Sequence, residues 1–424
     1  MIDMMKVFFR NFCICTGAAL CLALPAGCAV PEKTAAPATV NTVTPDSVYG
    51  HAAFMGAVLD FVHKNYVDPD RASPEKLMTG ALRGMLQELD PYSTYIPPGS
   101  TAARQAQLTG EGTGVGLTVS KTPHQGLLVV GVVPGSPAAF AGIKPGDMVL
   151  EVDGTRMQNR DLEDFLDSIR GKPGTEVLLT IRAAGSPTPV LHRLTRKAFI
   201  INPVPLHAVR RFPGGIGYIR IDSFNRHTVR GMLSAVAHLQ KTSRLRGLIL
   251  DLRNNPGGMV DAAVELVSCF LKPGLTVFSA VGRDAVNPKQ VKTLSGRQAL
   301  TGLPLAVLVN EFSASASEIT AGALKDHKRA VVIGGKTYGK GVIQEVRSLP
   351  NGGAIRYTKA FYRTPAGEKI DGVGVTPDVA IHVSRQDTLL LARSRNKVDG
   401  KNPAGIPDKV LEEAVKIMQK KGAL

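Results

Sequence analysis

One stretch in the last third of the chain narrows the fold more than any other: Leu305-Ala-Val-Leu-Val-Asn-Glu-Phe-Ser-Ala-Ser-Ala-Ser-Glu-Ile-Thr-Ala-Gly-Ala-Leu324. Its first five residues are an apolar, partly β-branched run of the length of a buried strand. Small and hydroxyl residues follow, and then Ile319 and Ala323 fall four apart, as on one face of a helix. The chain must pass from strand through a tight turn into a helix, with serines at the turn. A helix N-terminus carries free N–H groups and the positive end of the macrodipole. A serine there can be a nucleophile whose developing oxyanion is taken by backbone amides. The same letters also fit a structural device. Ser315-Ala-Ser-Glu318 matches the capping box, with Ser315 as N-cap and Glu318 reaching back. On this stretch alone both readings stay open.

The partner stretch is Val331-Val-Ile-Gly-Gly-Lys-Thr-Tyr-Gly-Lys-Gly-Val-Ile-Gln344, a second short apolar strand running into a glycine-rich turn. Gly339 and Gly341 flank Lys340 and allow close backbone approach around its amine. Gln344 follows four residues later and can share a face with the lysine. A serine, a lysine base and an amide that orients the amine form a nucleophile–base–orienter arrangement. Such a lysine must shed its proton near neutrality, roughly three pH units below its ordinary value; burial between glycines and exclusion of water can supply that.

Ser-Ala-Ser-Ala-Ser-Glu followed by Thr-Tyr-Gly-Lys-Gly-x-x-Gln resembles the C-terminal processing (tail-specific) peptidase family of serine proteases. The family's middle serine and its lysine lie twenty-five positions apart, as Ser315 and Lys340 do here. Glu311-Phe312, before the serines, stands where many relatives carry glycine. The resemblance implies Ser315 as nucleophile, Lys340 as base and Gln344 as its orienter, with Glu318 in support and no metal or other cofactor. Leu89-Asp-Pro-Tyr-Ser-Thr-Tyr95 resembles the family's Leu-Asp-Pro-His-Ser-x-Tyr signature. Tyr218-Ile-Arg-Ile-Asp-Ser-Phe224, Asp251-Leu-Arg-Asn-Asn-Pro-Gly-Gly258 and Asp371-Gly-Val-Gly-Val-Thr-Pro-Asp378 match further blocks. By that resemblance the amides of Gly258 and Ala316 form the oxyanion hole, a role that suits glycine because the scissile carbonyl must come close to main chain. The plain alternative for Gly257-Gly258 is a strand-to-helix turn.

Residues 108–196 resemble a PDZ domain. Gly114, Val115, Gly116 and Leu117 stand at its carboxylate-binding loop, and Val129 to Asp147 matches its interior. A substrate tail could add as a strand beside Leu117–Ser120, packed against a short helix over Asp161–Ile169, with its terminal carboxylate on loop amides. A structural β-domain without a ligand is the alternative. The fold class expected is multidomain α/β and β: the PDZ domain inserted between an N-terminal helical region, 46–107, and an α/β serine-protease core, 197–383. Helical stripes run Val48, Ala52, Met55, Leu59, Val62, Tyr66 and then Leu77, Ala81, Met85, Leu89, with Ser73-Pro74 starting the second. Residues 272–303 read as a loop excursion, Ala354–Tyr362 alternates like a β-ribbon, and 384–424 is a basic tail ending in an amphipathic helix over Val410–Met418.

The first residues, 1–28, read as an export signal: Lys6 and Arg10, an apolar run from Phe12 to Leu24, then Pro-Ala-Gly-Cys28. The run is short for a membrane span. Ala26-Gly27-Cys28 resembles the end of a bacterial lipoprotein cleavage site, making Cys28 a lipidation candidate; plain cleavage near Ala29 is the alternative. Residues 29–45, rich in Pro, Thr and Ala, read as a flexible tether. Only Cys269 of the five cysteines lies beyond the leader, so the processed chain has no intramolecular disulfide. The formal charge of +16 fits attraction to anionic lipid or the cell envelope. Arginine-rich arms and zinc spacings that would read it as nucleic-acid binding are missing.

Two rivals have different chemistry. Gly334-Gly-Lys-Thr-Tyr-Gly-Lys340 satisfies Gly-x-x-x-x-Gly-Lys, but the next residue is Gly341 where a phosphate loop needs Ser or Thr for magnesium. A PDZ scaffold with a dead protease half is the second, opposed by Ser315, Lys340, Gln344, Glu318 and Gly258 all being in place. The sequence carries no Gly-x-Ser-x-Gly elbow and no His-Glu-x-x-His pair. The expected function is an exported, periplasmic serine endopeptidase, either free or lipid-anchored, that cuts proteins near their C-termini after the PDZ domain takes an apolar tail. Protein substrates are its expected partners, with a second copy of the chain as a further candidate and nucleic acid excluded.

Overall fold

The computed structural model describes residues 47–422 apart from 99–109, 123–125, 134, 158–164, 166–167, 170, 206–207, 284–287, 385, 389 and 392–406. The export signal with Cys28, the tether, and most of the helix expected over Asp161–Ile169 lie outside the described residues. The chain divides into two compact units, Met1–Pro74 and Glu75–Leu424.

In the first unit, helix α1 (Val48–Asn65) starts at Ser47, whose hydroxyl accepts the Gly50 N–H. No residue of α1 is fully buried. Only Met55, Leu59 and Val62 of the expected stripe are half-buried, while Val48, Ala52 and Tyr66 are exposed. Helix α2 (Pro74–Gln87), all but its first residue in the second unit, has its proline at the first helical position, where a missing N–H costs nothing.

In the second unit, strands Leu117–Thr122, Gly126–Val132, Met148–Val152, Glu176–Arg182 and Pro189–Thr195 form an antiparallel sheet in that order. Val115, Leu127, Val129, Val149, Phe165 and Leu179 are among the side chains of its closed core. Asp153 and Gly154 both have positive φ, the twist a two-residue hairpin needs. Leu117–Thr122 is an edge strand, with a ladder on one side only. Entry and exit of this module are laced together, because Glu111–Gly114 pairs antiparallel with Lys197–Ile200. Gly112 lies under the Phe199 ring so closely that a Cβ would come within 2.2 Å of it.

A six-stranded sheet follows, in the order Arg210–Phe212, Ile216–Arg220, Gly247–Asp251, Leu305–Val309, Val331–Gly334, Val379–Ala380. All but the first pairing are parallel. Its three central strands are apolar runs because both faces are covered. Leu248, Leu250, Val307, Val309 and Val332 point to one face, with helices α4 (Thr228–Thr242), α5 (Val260–Ser268) and α6 (Ala316–Asp326), counting Pro137–Phe140 as α3. Ile249, Ala306, Leu308 and Ile333 point to the other, against Val410, Ala414 and Met418 of α7 (Lys409–Gly422). The amphipathic terminal helix thus closes the second face. At its start Asp408 accepts two bonds from Arg253, which also grips fully buried Asp251.

A further sheet runs Thr94–Ile96, Ala354–Arg363, Thr276–Val281, Lys289–Lys292, with Val342–Ser348 also paired to Ala354–Arg363. The loop excursion expected over 272–303 is corrected here, since it holds two of these strands. In Thr276–Val281, Val277 and Phe278 are adjacent and both buried, so period-two alternation was too weak to reveal the strand.

Candidate active site

The turn after Leu305–Val309 delivers three serines that the structure treats differently. The Ser313 hydroxyl donates to the Leu252 carbonyl and accepts from the Asn310 N–H, and Ser317 donates to the Asn255 carbonyl. Those two stitch the turn to the neighbouring strand end. Ser315 instead sits at the N-cap of α6, half-exposed, with φ +56° and ψ −114°. A residue with a side chain adopts such a conformation only when its surroundings enforce it. The Ser315 and Tyr362 hydroxyls are hydrogen-bonded to each other. Tyr362 is buried edge-on against Phe278, and that burial pushes its phenol above the ordinary value.

Glu318, fully buried, organises the turn. Its Oε2 accepts the Ser315 N–H at 2.8 Å and the Lys340 N–H at 2.9 Å. Its Oε1 accepts the Thr337 hydroxyl at 2.6 Å and the Gly339 N–H at 2.7 Å. Burial raises the carboxyl's pKa, and these four donors work against that rise. The reach-back half of the capping box is therefore present, while the Glu318 N–H itself bonds to the Ser315 carbonyl. Phosphate-loop chemistry has no room in the Gly334–Gly341 turn. The amides of Thr337, Tyr338, Gly339, Lys340 and Gly341 donate to Val375, Ser313, Glu318, Glu318 and Asp371.

Lys340 is half-buried, and its Nζ stands 4.9 Å from the centroid of the Tyr92 ring. Gln344 does not lie idle on its strand: its Nε2 donates to the Tyr92 carbonyl at 2.7 Å, and Arg356 Nε donates to the same oxygen at 3.0 Å. Burial, then the neighbouring Tyr338 hydroxyl and the carboxylates of Asp371 and Glu318, push the Tyr92 phenol up to about 12. Asp90 braces this loop by accepting the N–H groups of Tyr92 and Ser93 and the Ser93 hydroxyl. Its partial burial pushes the carboxyl up, but bonds from Thr358, Ser93 and Tyr92 prevail and hold it below the ordinary value.

Opposite the serine lies the Gly257-Gly258 turn. A Cβ on Gly257 would meet the Ala314 oxygen at 2.7 Å and Ser315 Cβ at 2.8 Å, so only glycine permits this approach. Gly258 forms a parallel bridge with Phe224, in which the Phe224 N–H binds the Gly257 carbonyl and the Met259 N–H binds the Phe224 carbonyl. That pattern leaves the Gly258 N–H pointing away from the bridge. Neither it nor the Ala316 N–H donates to another protein group among the described residues. A cavity of about 390 Å³ behind the turn is lined by Asn254, Asn310, Glu311 and Lys336, but by none of Ser315, Lys340 or Gly258.

In the antiparallel module Gly114 and Gly116 have φ of +134° and +81°, and a Cβ on Gly116 would fall 2.2 Å from that of Ser136. The side chains of Val115 and Leu117 are buried in the module's core. No cluster of His, Cys, Asp and Glu suited to a metal ion, and no helix long and apolar enough to cross a membrane, occurs among the described residues. The aromatic surroundings, Tyr92, Tyr338 and Tyr362, were missed as site residues by sequence reasoning. Tyr92 stood in a quoted signature and Tyr362 ended a recognised ribbon, but no spacing rule joins them to Ser315 or Lys340.

Similarity to known proteins follows the same outline. Residues 215–381 match the model of peptidase family S41, and 128–183 match that of the PDZ domain. The chain is 35% identical over 347 residues to a carboxy-terminal-processing protease of Bartonella bacilliformis, covering 81% of this chain and 78% of that protein. It is 35% identical over 320 residues to a CtpA-like serine protease of Staphylococcus aureus, covering 75% of this chain but only 63% of the staphylococcal protein. Among solved structures, an S41 protease of Bacteroides fragilis aligns with a TM-score of 0.50 at 17% identity, over 86% of this chain and 97% of that one, a likeness of fold alone.

Proposed function

This chain belongs to peptidase family S41, among the carboxy-terminal-processing serine proteases, and on that premise we propose that Ser315 is its nucleophile and Lys340 its general base. The observation that carries the assignment is the shared carboxylate. Glu318 fixes the main chain of both residues at one oxygen, while the turn's other two serines spend their hydroxyls on carbonyls.

The neutral Lys340 amine takes the proton from Ser315 Oγ as the oxygen attacks the scissile carbonyl. The resulting oxyanion is received by the N–H groups of Gly258 and Ala316, which have no protein acceptor to give up. Lys340 returns the proton to the leaving amine, and water then releases the acyl group from Ser315 by the same route reversed. Gln344 orients the amine indirectly, through the Tyr92 carbonyl it binds. No metal or nucleotide enters any step of this reading.

The substrate is a protein with an apolar free C-terminus. The tail adds to the edge strand Leu117–Thr122, with its carboxylate at the Gly114–Leu117 loop. Cleavage falls inside the chain near that tail. Export to the periplasm and lipidation of Cys28 complete the reading, resting on the leader sequence; a mature N-terminus other than Cys28 removes the lipid anchor. The exposed apolar residues of α1, Tyr49, Phe54, Val58 and Phe61, suit contact with a second copy.

The test incubates the purified protein, free of metal and ATP, with an unfolded substrate whose apolar C-terminus is either free or amidated, and maps the fragments. The free tail should be cut much faster, and deleting residues 108–196 should erase the difference. Equal cleavage of both by the intact enzyme would sink tail recognition.

A further inference from the structure

The aromatic contact at the base is unexplained by the chemistry above, because it favours the wrong protonation state. Lys340 Nζ lies over the face of the Tyr92 ring at 4.9 Å from its centroid. An aromatic face attracts an ammonium and has almost no such attraction for a neutral amine. The ring is uncharged while it does so, since its phenol is held far above the neutral range. The placement is also built. The Tyr92 carbonyl is fixed by Gln344 and Arg356, its N–H is taken by Asp90, and its hydroxyl meets Tyr338. A tyrosine stands here where the resembling family signature has histidine.

We propose that Tyr92 is a positioning residue for Lys340 that holds its ammonium form, so that this enzyme becomes active only at a higher pH than its serine–lysine pair alone would require. The inference rests on Lys340 being the base. Of the charged groups that hold Tyr92 itself, the Arg356 guanidinium on its carbonyl opposes this bias, and the Asp90 carboxylate on its N–H supports it. Tyr338 and Tyr362 are phenols, Glu318 faces the Lys340 main chain, and Asp371 accepts the Gly341 N–H. Both carboxylates, where ionised, also favour the ammonium. Tyr338 is largely exposed, so its bond to Tyr92 opens directly onto solvent.

The experiment compares pH profiles of kcat/KM for wild type, Tyr92→Phe, Tyr92→Leu and Tyr92→Met. The leucine and methionine variants should move the acid limb down by about 0.5 to 1.5 pH units, while phenylalanine, which keeps the aromatic face, leaves the limb near wild type. A readout independent of cleavage is carbamylation of Lys340 by cyanate in Ser315→Ala protein, followed by mass spectrometry across pH. Its midpoint should fall by the same amount when the ring is removed. An unmoved limb together with an unmoved carbamylation midpoint in both ring-less variants overturns the proposal. The base assignment fails separately, by cleavage that persists in Lys340→Ala; the carbamylation midpoint then still decides whether the ring holds the ammonium.

Discussion

Ser315 and Lys340 share an anchor: their main-chain N–H groups end on the same oxygen of Glu318, at 2.8 and 2.9 Å. Glu318 fixes the backbone of both residues, while the Ser315 hydroxyl meets Tyr362 and the Lys340 amine lies over the Tyr92 ring. The carboxylate cannot shift toward one partner without straining the other. On the proposed assignment, Glu318 acts by positioning the pair rather than as an acid or base.

Replacing it with glutamine tests this. One glutamine oxygen can serve one pair of donors, but its NH2 must then face the other pair, leaving two buried donors unmatched. At about 1 to 3 kcal/mol for each, Glu318→Gln should lose roughly 2 to 6 kcal/mol of stability in urea unfolding, and cleavage should drop at least tenfold. Because burial raises the native carboxyl's pKa, wild type itself loses stability as pH rises through that value. The gap between wild type and the glutamine variant should therefore narrow from the ordinary carboxyl range upward. A gap that widens would contradict the raised state.

Ser315→Ala, Lys340→Ala and Lys340→Arg should each reduce cleavage by about three orders of magnitude or more. Arginine fails because its guanidinium keeps its proton. The anchoring bonds are main-chain, so thermal melting should stay within a few degrees of wild type. Gln344→Ala should be milder, because Arg356 still holds the Tyr92 carbonyl. Brisk cleavage by the arginine variant would take Lys340 out of the base role.

Gly257→Ala and Gly258→Ala separate two uses of close approach. A methyl at Gly258 would sit 2.0 Å from the Phe224 oxygen, and that residue has φ +146°. This change should destabilise the fold outright, and circular dichroism should show an early melt. A methyl at Gly257, itself at φ +97°, meets its nearest atoms less closely, pressing on the serine turn at the Ala314 oxygen, Ser315 Cβ and the Ala316 nitrogen. Its main effect should be on kcat, with a smaller loss of stability. The reverse ranking would mean that the serine turn yields more readily than the bridge.

Asp90 carries a pH signature of opposite sign. Its carboxyl is held below the ordinary value, so its stabilising bonds are fully present above that value and are lost as pH falls through the depressed one. Asp90→Asn should be less stable than wild type at neutral pH, and the difference should shrink in acid. Melting temperatures measured from pH 7 down to pH 2 check this; a constant difference would show that Asp90 is not the group losing its bonds.

Much of this fold could be read in the chain because its buried parallel strands are short apolar runs punctuated by glycine. Leu305–Val309, Val331–Gly334 and Gly247–Asp251 all announce themselves that way. Thr276–Val281 did not, since its inward and outward positions are mixed in character. The serine, the lysine and their spacing were legible as a motif, and Glu318 as a capping residue. That Glu318 also binds Thr337, Gly339 and Lys340 was not, because a buried carboxylate finds distant amides through tertiary packing, which leaves no period in the sequence. Tyr92 over Lys340 belongs to the same class of fact.

The pairing of Glu111–Gly114 with Lys197–Ile200 works as a clasp at the neck of the inserted module. With both ends fastened side by side, the length and content of what lies between add little to the cost of closing that loop. The protease core therefore meets the insert as a fixed two-strand socket, whatever is plugged into it. A foreign recognition domain, spliced at the same neck with its own termini close together, could give this cutter a new choice of substrate without redesign of its chemistry.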